Sequence, residues 1–207
     1  NRAWPTAEVA QATTGRVADR LAGVIDPGQV AMRIRITLRR QLAEAVFANV
    51  VMLVEGRSDA GFLHGMADRC GGLDAAGVAV VAVMGKHQLL LPYAILEELG
   101  VPTYVIFDGD GDLEARMLGQ SKDPAAVRRA VEDSREQNRR IITALGAAPV
   151  DQPDSQVADY FAVLQNSLEA AFNDWSEFKA RLEELQTEDG DWRSKSDESY
   201  RQAAFDA

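Results

Sequence analysis

A single cysteine, Cys70, is all the thiol chemistry in this chain of 207 residues. That excludes an internal disulfide framework and a cysteine-built zinc cluster, and it agrees with a reducing compartment. Long apolar runs are missing as well. The longest, around Val50 to Val54, falls far short of the ~20 residues needed to span a bilayer, and no signal-peptide pattern opens the chain. A soluble, cytoplasmic protein without a membrane partner is therefore expected. Positive charge is in short supply, with 22 Lys and Arg against 32 Asp and Glu and a net charge of −10. By itself this balance argues against a protein that holds nucleic acid on a basic surface alone. The objection weakens if the acids are local and neutralised by metal ions, or if another part of a longer polypeptide carries the basic surface. The chain starts at Asn1 rather than at a methionine, which suggests a fragment of something longer. It has no internal repeats and no low-complexity tract.

What is present is an alternation of strands and helices. Residues 7 to 48 contain two helical stretches separated by the turn signal Asp26-Pro27-Gly28, the second leading into Arg39 to Phe47 with apolar positions still at helical spacing. The pattern then predicts strand 50–54, a helix over 58–69, strand 78–83, a helix over 88–99 and strand 103–107. Short connections in a βαβαβ run are the mark of a parallel sheet. A charged helix over 124–145, poor in bulky apolar residues, reads as an insertion or hairpin arm rather than core. A break at 146–153, a returning strand over 159–164, a helix from Ser167 and a polar, loop-like stretch over 190–199 complete the chain.

Two of the strands stop abruptly at carboxylates. Val50 to Val54 runs into Glu55-Gly56-Arg57-Ser58-Asp59, and Thr103 to Phe107 runs into Asp108-Gly109-Asp110. If the connection between them is a right-handed crossover, the strands lie parallel and their C-terminal ends open on one edge, where ligand sites of open α/β sheets form. Several acids then converge in a poorly solvated place, an arrangement that makes sense mainly with divalent cations between them. The plainer alternatives are that Ser58 or Asp59 caps a helix while Glu55 lies at the surface, and that Asp108 to Asp112 is an acidic turn. Asp108 and Asp110, two apart, would share a face of an extended strand end. Asp108, Asp110 and Asp112 touch the opening of an EF-hand loop, but the terminal glutamate and flanking helices do not follow.

Leu53-Val54-Glu55-Gly56 with Ser58-Asp59, followed by Phe107-Asp108-Gly109-Asp110, resembles the Toprim domain of type IA and II topoisomerases, bacterial primases and OLD (overcoming lysogenization defect) nucleases. Val46-Phe47-Ala48 ahead of the strand, the Glu-Gly-x-Ser-Asp form, Gly85-Lys86 after the second strand and Ser167-Leu168-Glu169 are most similar to the OLD family. Asp112, which extends the motif to Asp-x-Asp-x-Asp as in topoisomerases, blurs the subfamily assignment and is read as a group behind the ligands. The resemblance implies an α/β fold with a Rossmann-like parallel sheet flanked by helices, the Toprim catalytic domain occupying 46–112 and 155–207. An accompanying helical domain would take 1–45 and 113–154.

The same resemblance implies a metal-dependent DNA endonuclease working by two-metal chemistry. Glu55, Asp59, Asp108, Asp110, Ser167 and Glu169 would hold two Mg²⁺ or Mn²⁺ ions, and Glu55, Asp108 and Lys195 would carry catalysis. DNA is the implied partner. An N-terminal ATPase half, and a homodimer of the full-length protein, are further implied. Rivals are a topoisomerase- or primase-type Toprim module and a Toprim that binds DNA or protein without turnover. No nucleotide site is visible, because Gly85-Lys86 fails the P-loop pattern at Val80 and His87. Lys86 either touches a phosphate or is a solvated helix-end lysine. Arg33, Arg35, Arg39 and Arg40 read as a solvated helix face before a DNA-facing patch, His64 and His87 as isolated, Cys70 as a buried helix-end residue, and Trp175 and Trp192 as packing rather than base-stacking groups.

Overall fold

The computed structural model describes residues 7–22, 26–40, 42–188 and 197–207. Its strands are β1 (Val50–Val54), β2 (Val78–Ala82), β3 (Thr103–Asp108), β4 (Gln156–Val157) and β5 (Phe161–Leu164). They form one sheet in the order β2-β1-β3-β5-β4, parallel throughout except for β4, which pairs antiparallel with β5 at one edge. The helices are α1 (Ala7–Arg20), α2 (Pro27–Arg40), α3 (Arg57–Cys70), α4 (Leu90–Glu98), α5 (Leu113–Gly119), α6 (Pro124–Ala144), α7 (Leu168–Ala171), α8 (Ser176–Glu188) and α9 (Asp197–Asp206). The result is the expected α/β fold, a mostly parallel sheet flanked by helices. No helix of the described residues is long and apolar enough to cross a membrane.

β1 is an unbroken apolar run because it lies inside the sheet with elements on both faces, where strands lose the polar alternation of a half-exposed sheet. Leu53, Val54, Val105, Phe107 and Val163 are all buried. Leu53, Val105, Phe107 and Val163 share a core with Val17 and Leu21 of α1, Val30 and Ile34 of α2, and Leu91 and Ile95 of α4. Val17 and Leu21, and Val30 and Ile34, stand four residues apart, so each helix turns one apolar stripe to that core.

The structure departs from the sequence expectation in four places. α6 is not a free arm: Ile141 and Ile142 are buried in the main core. Its apolar stripe was hard to see because polar residues, Ser134 and Asn138, occupy buried positions on it. The helix expected to continue through 39–47 stops at Arg40, and the chain turns through a short 3₁₀ segment, Ala45–Phe47, with Leu42 and Ala45 buried. Asp197 to Ser199 are not loop but the first turn of α9, with Ser199 and Tyr200 buried. Cys70 is exposed rather than buried, since α3 ends in solvent there before Gly71.

A second apolar cluster sits where α3, α8 and α9 meet. Phe172, Phe178, Tyr200, Ala203 and Ala204 are packed with Phe62, Met66 and Trp175, and Trp175 lies against Phe178 with ring centroids 5.3 Å apart, as a packing residue should. α9 reaches this position only because α3 carries glycine at its contact face. A Cβ on Gly65 would stand 2.1 Å from the Arg201 carbonyl oxygen, and one on Gly61 2.1 Å from that of Asp197. Neither obstacle is a flexible side chain. Gly65→Ala is therefore expected to push α9 off α3 and destabilise the protein by ~3 kcal/mol, the upper range for overpacking. Thermal melting checks it, and an unchanged melting temperature would show that the two helices slide apart at no cost.

Candidate functional site

Because β1, β3 and β5 are parallel, their C-terminal ends meet on one edge of the sheet. Glu55 follows β1 directly, Asp108 is the last residue of β3, and Ser167 caps α7 just beyond β5. Backbone amides tie these residues together. The Asp108 N–H donates to Glu55 Oε1 at 2.8 Å, and the Leu168 N–H donates to Asp108 Oδ1 at 3.1 Å. Asp59 accepts from the Gly56 N–H at 2.7 Å at the start of α3, and Ser167 Oγ accepts from the Ala170 N–H at 3.3 Å. The capping reading of Asp59 is thus correct, and it does not move that carboxylate away from its neighbours. Its charge still bears on both Glu55 and Asp108.

The electrostatics show what these acids want. Burial first, and then the charges of Glu55, Asp59, Asp110 and Glu169, together push Asp108 up to about 8. Burial likewise pushes Glu55 up to about 7, against the opposing pull of Lys86 and of the Asp108 N–H. A carboxyl that holds its proton near neutral pH is one whose burial and acidic neighbours are not offset by a positive partner. Tyr200 of α9 adds no such partner: it is buried, and burial followed by the charges of Glu169 and Asp59 raises its phenol to about 12.

Asp110 behaves differently from Asp108. Strand β3 ends at Asp108, and Asp110 takes a left-handed backbone conformation with φ of 57°. The alternation that would put the two carboxylates on one strand face therefore stops short of Asp110. Backbone bonds from Asp110 N to Asn166 O and from Gly111 N to Gln165 O fix this turn. The Asp110 side chain meets Lys86 Nζ at 2.6 Å, Ser134 Oγ at 2.9 Å and an Arg116 nitrogen at 3.0 Å. Lys86 is buried, so it is not a solvated helix-end lysine. Asp112 pairs with Arg116 at 3.1 Å. Lys195 and Trp192 lie outside the described residues, and so does any statement about the Arg39 and Arg40 side chains.

Ser134, Asn138 and Arg116 belong to this constellation, and the sequence reading did not single them out. A signal existed for the first two. In α6 they interrupt a stripe otherwise made by Val127, Ile141 and Leu145, and polar residues at core positions are normally there to serve a buried partner.

Among the described residues, no three Asp, Glu, His or Cys side chains are gathered into a ready-made ion cage. The Glu55, Asp59 and Asp108 carboxylates are instead turned onto backbone N–H groups. The donors nevertheless suit a divalent ion. Glu55, Asp59, Asp108 and Glu169 offer only hard oxygen, as Mg²⁺ and Mn²⁺ prefer, and a cation there would offset the burial and acid charges that push Asp108 and Glu55 up.

Residues 46–110 match the family described as "Overcoming lysogenization defect protein-like, TOPRIM domain". Two solved structures are similar over most of the chain. The C-terminal region of the Xanthomonas campestris pv. campestris OLD protein aligns with 18% identity and a TM-score of 0.47, covering 78% of this chain and 86% of that one. The C-terminal region of the Burkholderia pseudomallei OLD protein aligns with 16% identity and a TM-score of 0.43, covering 77% and 88%. No curated protein matches the sequence.

Proposed function

The chain carries an OLD-like Toprim domain at residues 46–110, and from that premise we propose that it is a metal-dependent DNA endonuclease. The observation that supports this reading best is Asp108, set at a parallel strand end with its proton held to about 8 by burial and by the acids Glu55, Asp59, Asp110 and Glu169. A structural carboxylate is normally paired with a cation or well solvated; this one is part-buried, accepts one backbone N–H and has only acids as the charges that bear on it, a cost that a bound cation would relieve.

In this reading Glu55, Asp59, Asp108 and Glu169 hold divalent ions, with Ser167 beside them and Asp110 serving a second ion. Bound Mg²⁺ or Mn²⁺ supplies the Lewis acidity that phosphodiester hydrolysis needs at neutral pH. The protein's own part is to pre-position the donors. The Asp108 N–H holds Glu55 and the Leu168 N–H holds Asp108, so both acids are oriented by rigid backbone rather than by mobile side chains. Lys195 neutralises charge that builds on the phosphate. A DNA partner, attachment to an ATPase half, and the division into a Toprim domain with a helical companion over 1–45 and 113–154 are part of the same proposal.

Plasmid cleavage with Mg²⁺, Mn²⁺, Ca²⁺ and EDTA is the direct test. Nicking or linearisation with Mg²⁺ or Mn²⁺, weak turnover with Ca²⁺ and none with EDTA are expected, and full activity in EDTA would overturn the proposal. A topoisomerase-type reaction would leave a tyrosine joined to DNA. Tyr200, at the site, is buried and its phenol is pushed up to about 12, so free rather than protein-linked ends are expected. Lys195→Ala should slow cleavage by ~10²-fold, the scale of one lost transition-state charge contact, while calorimetric Mn²⁺ binding stays as in the wild type. Wild-type cleavage by that variant would remove Lys195 from the site.

A further inference from the structure

The acids at the strand ends are not equivalent, because one of them already has its cation. Asp110 Oδ2 accepts from Lys86 Nζ at 2.6 Å and from Ser134 Oγ at 2.9 Å, and Oδ1 accepts from Arg116 at 3.0 Å. The Lys86 side chain is only 6% exposed. Its ammonium also donates to Ser134 Oγ at 3.2 Å and to Asn138 Oδ1 at 3.1 Å, so its three protons each have an acceptor. A buried ammonium is tolerated when it has both an opposite charge and a full set of acceptors, and Lys86 has both.

The seat is rigid. Asn138 is fully buried, and its Nδ2 donates to the Gly109 and Asp151 carbonyls at 2.9 and 2.8 Å, which fixes the orientation of the oxygen that faces Lys86. Gly109 in turn is pressed against the chain beyond β5, where a Cβ would stand 2.7 Å from the Gln165 carbonyl oxygen. α6 is thereby locked to the acidic loop through Ser134 and Asn138. Asp108, one residue before Gly109, has instead the acids Glu55, Asp59, Asp110 and Glu169 as the charges that bear on it.

From this asymmetry, and resting on the metal-site reading above, we infer that Lys86 is the built-in counter-cation of Asp110 and a positioning residue that divides the cluster. One divalent ion is taken up by Glu55, Asp59, Asp108 and Glu169 while Lys86 stays in place. An ion that uses Asp110 binds only as Lys86 and Arg116 give way, so the two ions differ in affinity in the free protein. α6, through Ser134 and Asn138, sets that difference by holding the ammonium where it competes.

Mn²⁺ titration of the intact chain without DNA, followed by calorimetry and by the spin-resonance signal of free Mn²⁺, tests this. The wild type should bind one ion tightly and a second at least about tenfold more weakly. Lys86→Met removes the competing charge and keeps the aliphatic stem, so the second ion should tighten by roughly tenfold or more, while Lys86→Arg should keep it weak. Asp110→Asn should delete the weak ion and leave the tight one within about threefold, and it serves if Lys86→Met does not fold. Two ions of equal affinity in the wild type, or loss of the tight ion in Asp110→Asn, overturns the role of Lys86 and leaves the metal-site reading standing. No Mn²⁺ binding by the wild type, or binding undiminished in Asp108→Asn, overturns both.

Discussion

Asp108→Asn should abolish DNA cleavage, by ~10³-fold or more, and at the same time make the metal-free protein more stable. The two effects have one origin. Asp108 is pushed from 3.8 to about 8 by burial and by the surrounding acids, so the folded chain resists ionising it. Below roughly pH 4 the group is protonated whether or not the chain is folded, and it costs nothing. Between about 4 and 8 the unfolded chain gives up the proton and the folded chain does not, so stability falls as pH rises; above about 8 the loss is complete and constant. An asparagine removes that loss and can still accept the Leu168 N–H through its carbonyl oxygen. At pH 8 a gain of roughly 2 kcal/mol is expected, well below what the whole shift would give because solvent screens the part-exposed carboxyl, and on the order of 5 °C in melting temperature for a chain of this size. Cleavage assays with Mg²⁺ and thermal melts in EDTA check the two halves. A less stable Asp108→Asn would make Asp108 a turn-former whose carboxylate charge the fold needs, and the cluster would lose its central ligand.

The parallel sheet and the convergence at its edge were legible because the signals are local. Val50 to Val54 and Thr103 to Phe107 are short apolar runs ended by Gly and acids, and once they lie parallel their ends must meet. Glu55 and Asp108 follow from that alone, and their 2.8 Å contact is a direct result of the register in which Val51 faces Thr103. Asp110 was legible as a residue and not as a conformation, because whether a strand runs on or turns left-handed after a glycine depends on what the next strand offers. Here the Gln165 and Asn166 carbonyls draw the Gly111 and Asp110 amides aside. Ser134, Asn138 and Arg116 were hidden for a different reason. They reach the site from an insertion between β3 and β5, and nothing in a charged helical sequence says which of its faces will fold back. α9 was hidden likewise: its place depends on Gly61 and Gly65 of a helix far earlier in the chain.

Uptake of a divalent ion should release protons, and the number released should fall as pH rises. Glu55 stands at about 7 and Asp108 at about 8, each raised first by burial, and the Glu55 charge is among the causes that raise Asp108. A cation binds the ionised forms, so any proton still held must leave. Near pH 6 roughly two protons should leave per ion bound at these acids, near pH 7.5 about one, and above about pH 9 almost none. The apparent affinity for Mg²⁺ or Mn²⁺ should therefore climb steeply with pH up to about 8 and then level off, a range of a hundredfold or more over the two units below neutrality. Bound metal should also offset the loss of stability between pH 4 and 8, because it favours the ionised forms that burial and the neighbouring acids disfavour. Calorimetric titrations in buffers of different ionisation enthalpy count the protons, and melts with and without Mg²⁺ across the same range test the stability. Affinity independent of pH between 5.5 and 8 would mean that the ion avoids Glu55 and Asp108. The strand-end site would then fall, even if the protein cleaved DNA with metal bound elsewhere.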